Sequence, residues 1–370
     1  MKVIAFYLPQ FHCIPENDAW WGDGFTEWVN VKKAKPIYDG HYQPRIPLNN
    51  NYYNLLDQTV MEWQVSLAKQ YGVYGFCFYH YWFNGKLLLE RPVEQYLRDR
   101  DLDLPFCLCW ANENWTNGWA ALNAKILIGQ DEGTKEKWKE HFDYLLPFFK
   151  DKRYIYKDGK PLLVIYKPDL FPHIYDMIKF WDSLARKEGF DGLTFASQMM
   201  PENIENSEFD YHIEYQPTLT YVDMAKTKNK FIRHSKNKIK KIADKFLHID
   251  LEGMRRQKLL KYDYEDVWNC ILNKSVSNKK MIPGAFVGWD NTPRKRERGY
   301  VVEGATPDKF QLFFSKQIIN ARESYHQDMI FLFAWNEWAE GGYLEPDEKY
   351  EYGYLQAIRD ALIENNELEF

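Results

Sequence analysis

The stretch Phe331-Leu332-Phe333-Ala334-Trp335-Asn336-Glu337-Trp338-Ala339-Glu340-Gly341-Gly342 is an apolar, aromatic run of strand length that ends abruptly in two carboxylates. Buried runs do not normally finish that way. A strand that delivers Asn336, Glu337 and Glu340 to its carboxyl end, among Trp335, Trp338 and Tyr343, has the ingredients of a sugar-cleaving floor. In such a floor paired carboxyls flank the bond and aromatics stack on the ring. The same residues suit a helix start, with Asn336 as cap and the glutamates favoured by the dipole. The flanking tryptophans and the Gly341-Gly342 break favour the first reading.

Seven similar runs precede Ile330–Trp335: Val3–Leu8, Tyr74–Tyr81, Pro105–Trp110, Leu162–Tyr166, Leu193–Ser197, Tyr211–Tyr215 and Ile282–Gly288. Their hydrophobicity is continuous, the habit of parallel strands buried on both faces. Helical patterns at Thr59–Gln70, Lys135–Lys150, Ile174–Lys187 and Lys309–Tyr325 fall between them, the last with Thr306 as cap and Pro307 at the first helical position. About eight strand-helix units in 370 residues predict a single α/β domain, a (β/α)8 TIM-like barrel spanning 1–370. Only a short helix, Glu202–Glu208, fits between the fifth and sixth runs. The long aromatic loop Gln10–Asn54 reads as a flap over the cleft, and 218–280 as a basic, mainly helical insertion between the sixth and seventh strands.

Polar residues gather where the runs end: Gln10 and His12, then His80, then Asn112, Glu113 and Asn114. Lys167, Gln198, Glu214 with Gln216, Asp290, and Asn336 with Glu337 follow in the same way. The carboxyl-terminal face of such a barrel carries the active site, so these are candidate substrate-binding groups. Aromatics beside them complete the candidate set: Tyr81, Trp82, Trp115, Tyr215, Trp335 and Trp338, with Trp20, Trp21 and Trp28 from the long loop, which also supplies Glu27. Glu337 and Glu340 are the catalytic candidates. A separation of three residues puts both on one side only if the chain turns helically after Trp338, and the indoles beside them exclude water and raise a pKa.

Composition bounds the remaining options. The 64 aromatics (14 Trp, 26 Tyr, 24 Phe) suit carbohydrate faces as well as a large core. A net charge of −5 offers nucleic acid no general attraction, and no apolar run approaches the length of a membrane span. Cys13, Cys77, Cys107, Cys109 and Cys270 lack zinc-ligand spacing and read as reduced thiols; no metal or organic cofactor is expected. Between Lys226 and Lys245 nine basic residues face one acid, Asp244, a pattern suited either to a solvated outer helix pair or to peripheral docking on an anionic membrane or a lipid-linked sugar. The amino terminus enters strand-like sequence at once, with no leader pattern, so a cytoplasmic chain is expected.

Four motifs together carry a resemblance. They are Asp18-Ala19-Trp20-Trp21-Gly22-Asp23-Gly24-Phe25-Thr26-Glu27-Trp28, Tyr79-His80-Tyr81-Trp82-Phe83, Cys107-Leu108-Cys109-Trp110-Ala111-Asn112-Glu113-Asn114-Trp115-Thr116, and Trp335-Asn336-Glu337-Trp338-Ala339-Glu340-Gly341. The chain resembles, over nearly its whole length, the WbsX-type proteins of bacterial surface-polysaccharide gene clusters, which are described as glycosyltransferases. More distantly it is similar to glycoside hydrolase family 99, endo-α-mannosidases and endo-α-mannanases built as (β/α)8 barrels. The resemblance implies that Glu337 takes the proton of the sugar 2-hydroxyl, giving an anhydro-sugar intermediate, and that Glu340 is the general acid/base. Tyr7 and Glu113 match groups that contact the sugar ring. Where WbsX-type sequences carry a basic and acidic cluster after Asn-Glu-Asn-Trp-Thr, this chain has Asn117-Gly118-Trp119-Ala120, so the relatives' subsite preference is not carried over.

Three functions compete on these residues. The first is a retaining enzyme that cleaves, or transfers across, an α-glycosidic bond of a surface polysaccharide or its precursor. The second is a nucleotide-sugar glycosyltransferase, disfavoured because no glycine-rich phosphate turn follows a strand and Asp101-Leu102-Asp103 precedes one. The third is a non-catalytic sugar-binding barrel.

Overall fold

Strands buried on both faces can satisfy their backbones only in a closed or covered parallel sheet, and that is how this chain resolves its apolar runs. In the computed structural model, which describes residues 1–117, 125–199, 207–224, 259–276 and 279–368, nine parallel strands form a nearly closed barrel. They are β1 (Lys2–Tyr7), β2 (Gly75–Phe83), β3 (Phe106–Trp110), β4 (Lys160–Ile165), β5 (Thr194–Ser197), β6 (Tyr211–Ile213), β7 (Met281–Ile282), β8 (Gly284–Phe286) and β9 (Met329–Phe333). Neighbours run β7-β6-β5-β4-β3-β2-β1-β9-β8. Only Pro283 parts β7 from β8, and proline has no N–H to give a ladder. One half of that stave pairs with β6 and the other with β9, so the eight predicted runs account for the ring.

Helices Gln58–Gln70, Lys135–Phe149, Ile174–Lys187 and Pro307–Asn320 match the patterns read in the sequence. At the last, the Thr306 hydroxyl accepts from the Lys309 N–H at 3.3 Å, as its cap position demands. Of the further helices Arg91–Arg98, Tyr264–Leu272 and Gly353–Glu364, the first and third were not anticipated, nor were Pro15–Trp21 and Glu27–Lys33 within the stretch read as a loop, whereas the second falls in the stretch read as mainly helical. The second lies at the end of 218–280: Asp263 caps it, and Trp268 stacks between Phe286 and Phe313 at 5.3 and 5.7 Å. Just before it, Leu260–Asp263 pairs with Tyr300–Glu303, which pairs in turn with Trp289–Asp290. The tract Lys226–Lys245, residues 118–120 after Asn117, and Glu202–Glu208 apart from its last two residues lie outside the described residues. No described helix is long and apolar enough to cross a membrane.

Strand parity positions everything that follows, because alternate side chains face opposite sides. On β1 the Phe6 ring faces inward against Tyr79 and Tyr215, each at 5.6 Å, whereas Tyr7 faces outward and its hydroxyl donates to Gln64 on helix Gln58–Gln70 at 2.7 Å. At β8 the staves approach so closely that a Cβ on Gly284 would stand 1.7 Å from the Glu214 carbonyl oxygen. Gly284→Ala should therefore cost about 3 kcal/mol or more in a denaturant melt. Gly129→Ala, with nothing within 4 Å of the added carbon, should change stability by under about 0.5 kcal/mol.

Candidate active site

After β9 the chain makes the helical turn that the two glutamates require. Asn336–Glu337 and Gly342–Tyr343 pair antiparallel, and the three residues between Glu337 and Gly341 close a 3-10 turn. Gly341 finishes the turn at φ +67°, where a side chain is disfavoured, and a Cβ there would stand 2.9 Å from the Asp290 N–H nitrogen. The Trp338 ring stacks on Tyr343 at 3.8 Å. Asn336 clamps the end of β9 to that of β1, accepting from the Leu8 N–H at 2.7 Å and donating to its carbonyl at 3.0 Å.

The turn aims both carboxylates at one guanidinium. Arg294 donates from Nη2 to Glu337 at 2.8 Å and to Glu27 at 3.0 Å, and from Nη1 to Glu340 at 2.9 Å. Glu27 and Glu337 are buried. Burial pushes the Glu337 carboxyl up to about 8, Arg294 pulls it down, and Glu340 and Glu27 add to the rise. Arg294 stays charged in spite of burial because three carboxylates surround it. It rides on the short helix Thr292–Lys295, whose start is held by Asp290: that carboxylate accepts from the Thr292 N–H and hydroxyl at 3.0 and 2.6 Å, and from His41 and Gln43 at 2.8 and 2.7 Å.

A cavity of about 480 Å³ opens before these carboxylates at the carboxyl-terminal mouth of the barrel. From the sequence-read set it gathers Gln10, Trp21, Glu27, Tyr81, Glu113, Asn114, Trp115 and Tyr215. Lys167 reaches it indirectly, as the ion-pair partner of Glu113. Phe25, Tyr79, Tyr166, Lys295 and Arg294 also line it, and sequence reasoning missed them. Arg294 was legible in principle, since buried carboxylates need a counter-charge and the run Arg294-Lys295-Arg296 follows a strand end.

Other residues read as substrate-binding stand elsewhere. Parity turns Tyr7, His80 and Trp82 outward: His80 sits 2.8 Å from the His141 ring nitrogen, and Trp82 stacks on that ring at 4.6 Å. Several brace the backbone. Asn112 exchanges two hydrogen bonds of 2.8 Å with the Lys167 main chain, Trp28 donates to the Tyr53 carbonyl at 2.8 Å, and Gln198 donates to the Tyr79 hydroxyl at 2.7 Å. His12 is buried with Nδ1 2.9 Å from the Pro9 carbonyl, and burial lowers it to about 4. Trp20 backs Trp115 at 5.9 Å. Asp290 and Asn336 hold the elements that present Arg294 and Glu337 and do not face the cavity.

Trp335 and Trp338 are spoken for as well, by a residue that no sequence pattern singles out. Glu345 is buried and accepts from both indoles, at 3.1 and 2.7 Å, and from Gln64 and the Tyr53 hydroxyl at 2.6 and 2.8 Å. Burial pushes its carboxyl up to about 7, against the pull of these four donors. Glu345→Leu would strand buried donors on both sides of Glu337, so it should cost about 3 kcal/mol or more by denaturant melt. It should also lower turnover more than a surface substitution of equal size.

Comparisons with known proteins bear on the family and the fold. The glycosyltransferase WbsX family profile matches residues 3–358. The WxcX proteins of two Xanthomonas campestris pv. campestris strains, B100 and ATCC 33913, are each 34% identical over 366 residues, covering 97% of this chain and 49% of theirs. The chain thus spans about half the length of these curated relatives. Among solved structures, the family 99 endo-α-mannosidase of Bacteroides thetaiotaomicron superposes with a TM-score of 0.54 at 14% identity, covering 99% of this chain and 98% of that one. A glycoside hydrolase-like protein superposes at 0.56 and 11% identity, covering 97% and 93%. These two likenesses establish the shared barrel. By the family match over nearly its whole length, the chain belongs to the WbsX glycosyltransferase family.

Proposed function

We propose that this protein is a retaining carbohydrate-active enzyme that works on an α-glycosidic bond of a bacterial surface polysaccharide or its precursor. One observation carries the reading: Glu337 and Glu340 sit on the two terminal nitrogens of a single guanidinium, at the floor of an aromatic-walled cavity. Two carboxyls facing one such space are the apparatus of glycosidic chemistry. Glu337 accepts the proton of the sugar 2-hydroxyl as that oxygen attacks the anomeric carbon. Glu340 protonates the departing oxygen. A 1,2-anhydro sugar results; Glu340 then takes the proton of the incoming hydroxyl as its oxygen bonds the anomeric carbon, the C1–O2 bond breaks, and Glu337 returns its proton to O2.

The incoming hydroxyl can belong to water or to a second sugar, so one site serves hydrolysis or transfer. That reconciles the family's description as a glycosyltransferase with a barrel shared with glycoside hydrolases. Tyr81, Trp115 and Tyr215 supply the ring-stacking walls, and Glu27 with Arg294 orients the pair. The cysteines are unpaired, including the cross-strand neighbours Cys77 and Cys107, which supports a reducing compartment; we place the reaction in the cytoplasm.

Incubated with a broad panel of α-linked oligosaccharides, the protein should yield a product whose formation falls about 10²- to 10⁴-fold in Glu337→Gln. A panel without such a product would sink the reading. The pH profile tests the roles. Burial has raised Glu337 to about 8, and a base works only when ionised, so kcat/KM should climb with pH through about 8. A fall across that range would make Glu337 the proton donor and exchange the two roles.

A further inference from the structure

A second cavity, of about 250 Å³, lies behind the catalytic turn and plays no part in the reaction above. Gly341 lines it, while the preceding residue, Glu340, lines the first. Its walls are rich in rings: Tyr38, Tyr42, Tyr343, Tyr350 and Tyr354. Two cations stand among them. The Arg45 guanidinium is 5.5 Å from the ring centres of both Tyr42 and Tyr343, and the Lys349 ammonium is 4.5 and 4.8 Å from those of Tyr42 and Tyr350.

The acids nearby are already matched. Asp290 is saturated by His41, Gln43 and Thr292; Glu303 pairs with Lys261 at 3.1 Å; Asp347 accepts from the Tyr343 hydroxyl at 2.6 Å and from the Tyr350 N–H at 2.6 Å. Arg45 is not matched. It reaches Asp290 only at 3.9 Å and the Tyr343 hydroxyl only at 3.5 Å, and its buried Nε has no hydrogen-bond partner. Among the described residues the Lys349 ammonium has no carboxylate within ion-pair distance and stands over the two rings.

A buried donor without an acceptor is costly unless something arrives to fill it. The planar fork of an arginine matches a carboxylate, and flat aromatic walls match the C–H face of a pyranose. Size narrows the choice. Pockets for drug-sized ligands run from about 300 to 1,000 Å³, so this one holds a single ring and not an oligosaccharide. We propose that the cavity is a subsite for one acidic sugar residue, a hexuronate or a similarly carboxylate-bearing pyranose, with its carboxylate on Arg45, Lys349 as the second charge, and its ring against the tyrosines. The choice of a sugar rests on the carbohydrate reading above; the cavity and its unmatched donors do not.

The test is a binding measurement on the intact chain, by saturation-transfer NMR with methyl glucuronoside, methyl glucoside and inorganic phosphate as probes. The glucuronoside should bind at least about tenfold more tightly than the glucoside, the worth of one charge-assisted contact. Arg45→Lys, which keeps the charge and loses the fork, and Lys349→Ala, at an exposed position, should each weaken it about tenfold. Glu337→Gln should leave it unchanged, which separates this cavity from the catalytic one. The proposal is overturned if the glucuronoside does not bind, if the glucoside binds equally, if equimolar phosphate displaces it, if neither variant weakens it, or if Glu337→Gln abolishes it. Because the readout is binding, its failure leaves the turnover experiment on Glu337 standing, and a failure of turnover leaves this one standing.

Discussion

One guanidinium holds the mouth of this barrel together. Glu27, Glu337 and Glu340 come from opposite ends of the chain, and each on its own would be a carboxylate drawn out of water. An unpaired buried charge costs several kcal/mol, and three carboxylates without a cation would push one another apart. Arg294 offsets part of both penalties at once. In doing so it ties the N-terminal loop, the helix after Asp290 and the turn after β9 into one wall. The remaining excess of negative charge is what burial converts into a carboxyl poised near 8.

Behind that wall stands a second layer that lies outside the cavity before Glu337 and fixes geometry. Glu345 gathers both indoles that flank Glu337, Asn336 welds β9 to β1, and Asp290 holds the start of the helix that carries Arg294. Each is a buried polar group satisfied by several partners, so each tolerates little movement. Catalytic geometry on a barrel usually depends on such a layer, because the loops that bear the reactive groups have no ladder of their own.

The chain shares its barrel with hydrolases and its family with transferases. Under the mechanism proposed above the two are compatible, since the step that would distinguish them is the identity of the hydroxyl that opens the intermediate. The turn that carries Glu340 also borders a second cavity, the tyrosine-walled one around Arg45, through Gly341.

The barrel was legible because continuous apolar runs and intervening helical periods are local features, written residue by residue. Eight runs became the ring, and even the break at Pro283 follows from a single missing N–H. The paired glutamates were legible too, since an apolar strand ending in carboxylates contradicts burial unless it has a purpose. Which side chains share the cavity was not. Tyr7, His80 and Trp82 stand at the correct ends of their strands yet face outward, a matter of parity that a one-residue shift reverses. Glu345 lies in an unremarkable stretch, and Arg294 in a basic run whose carboxylate partners Glu27 and Glu337 are distant along the chain. Composition and periodicity determined the ring of strands and its acidic end. Only the tertiary structure decided the charge pairing and burial of those acids, because electrostatic coupling depends on distance in space and on exclusion of water, and neither quantity is carried by sequence order.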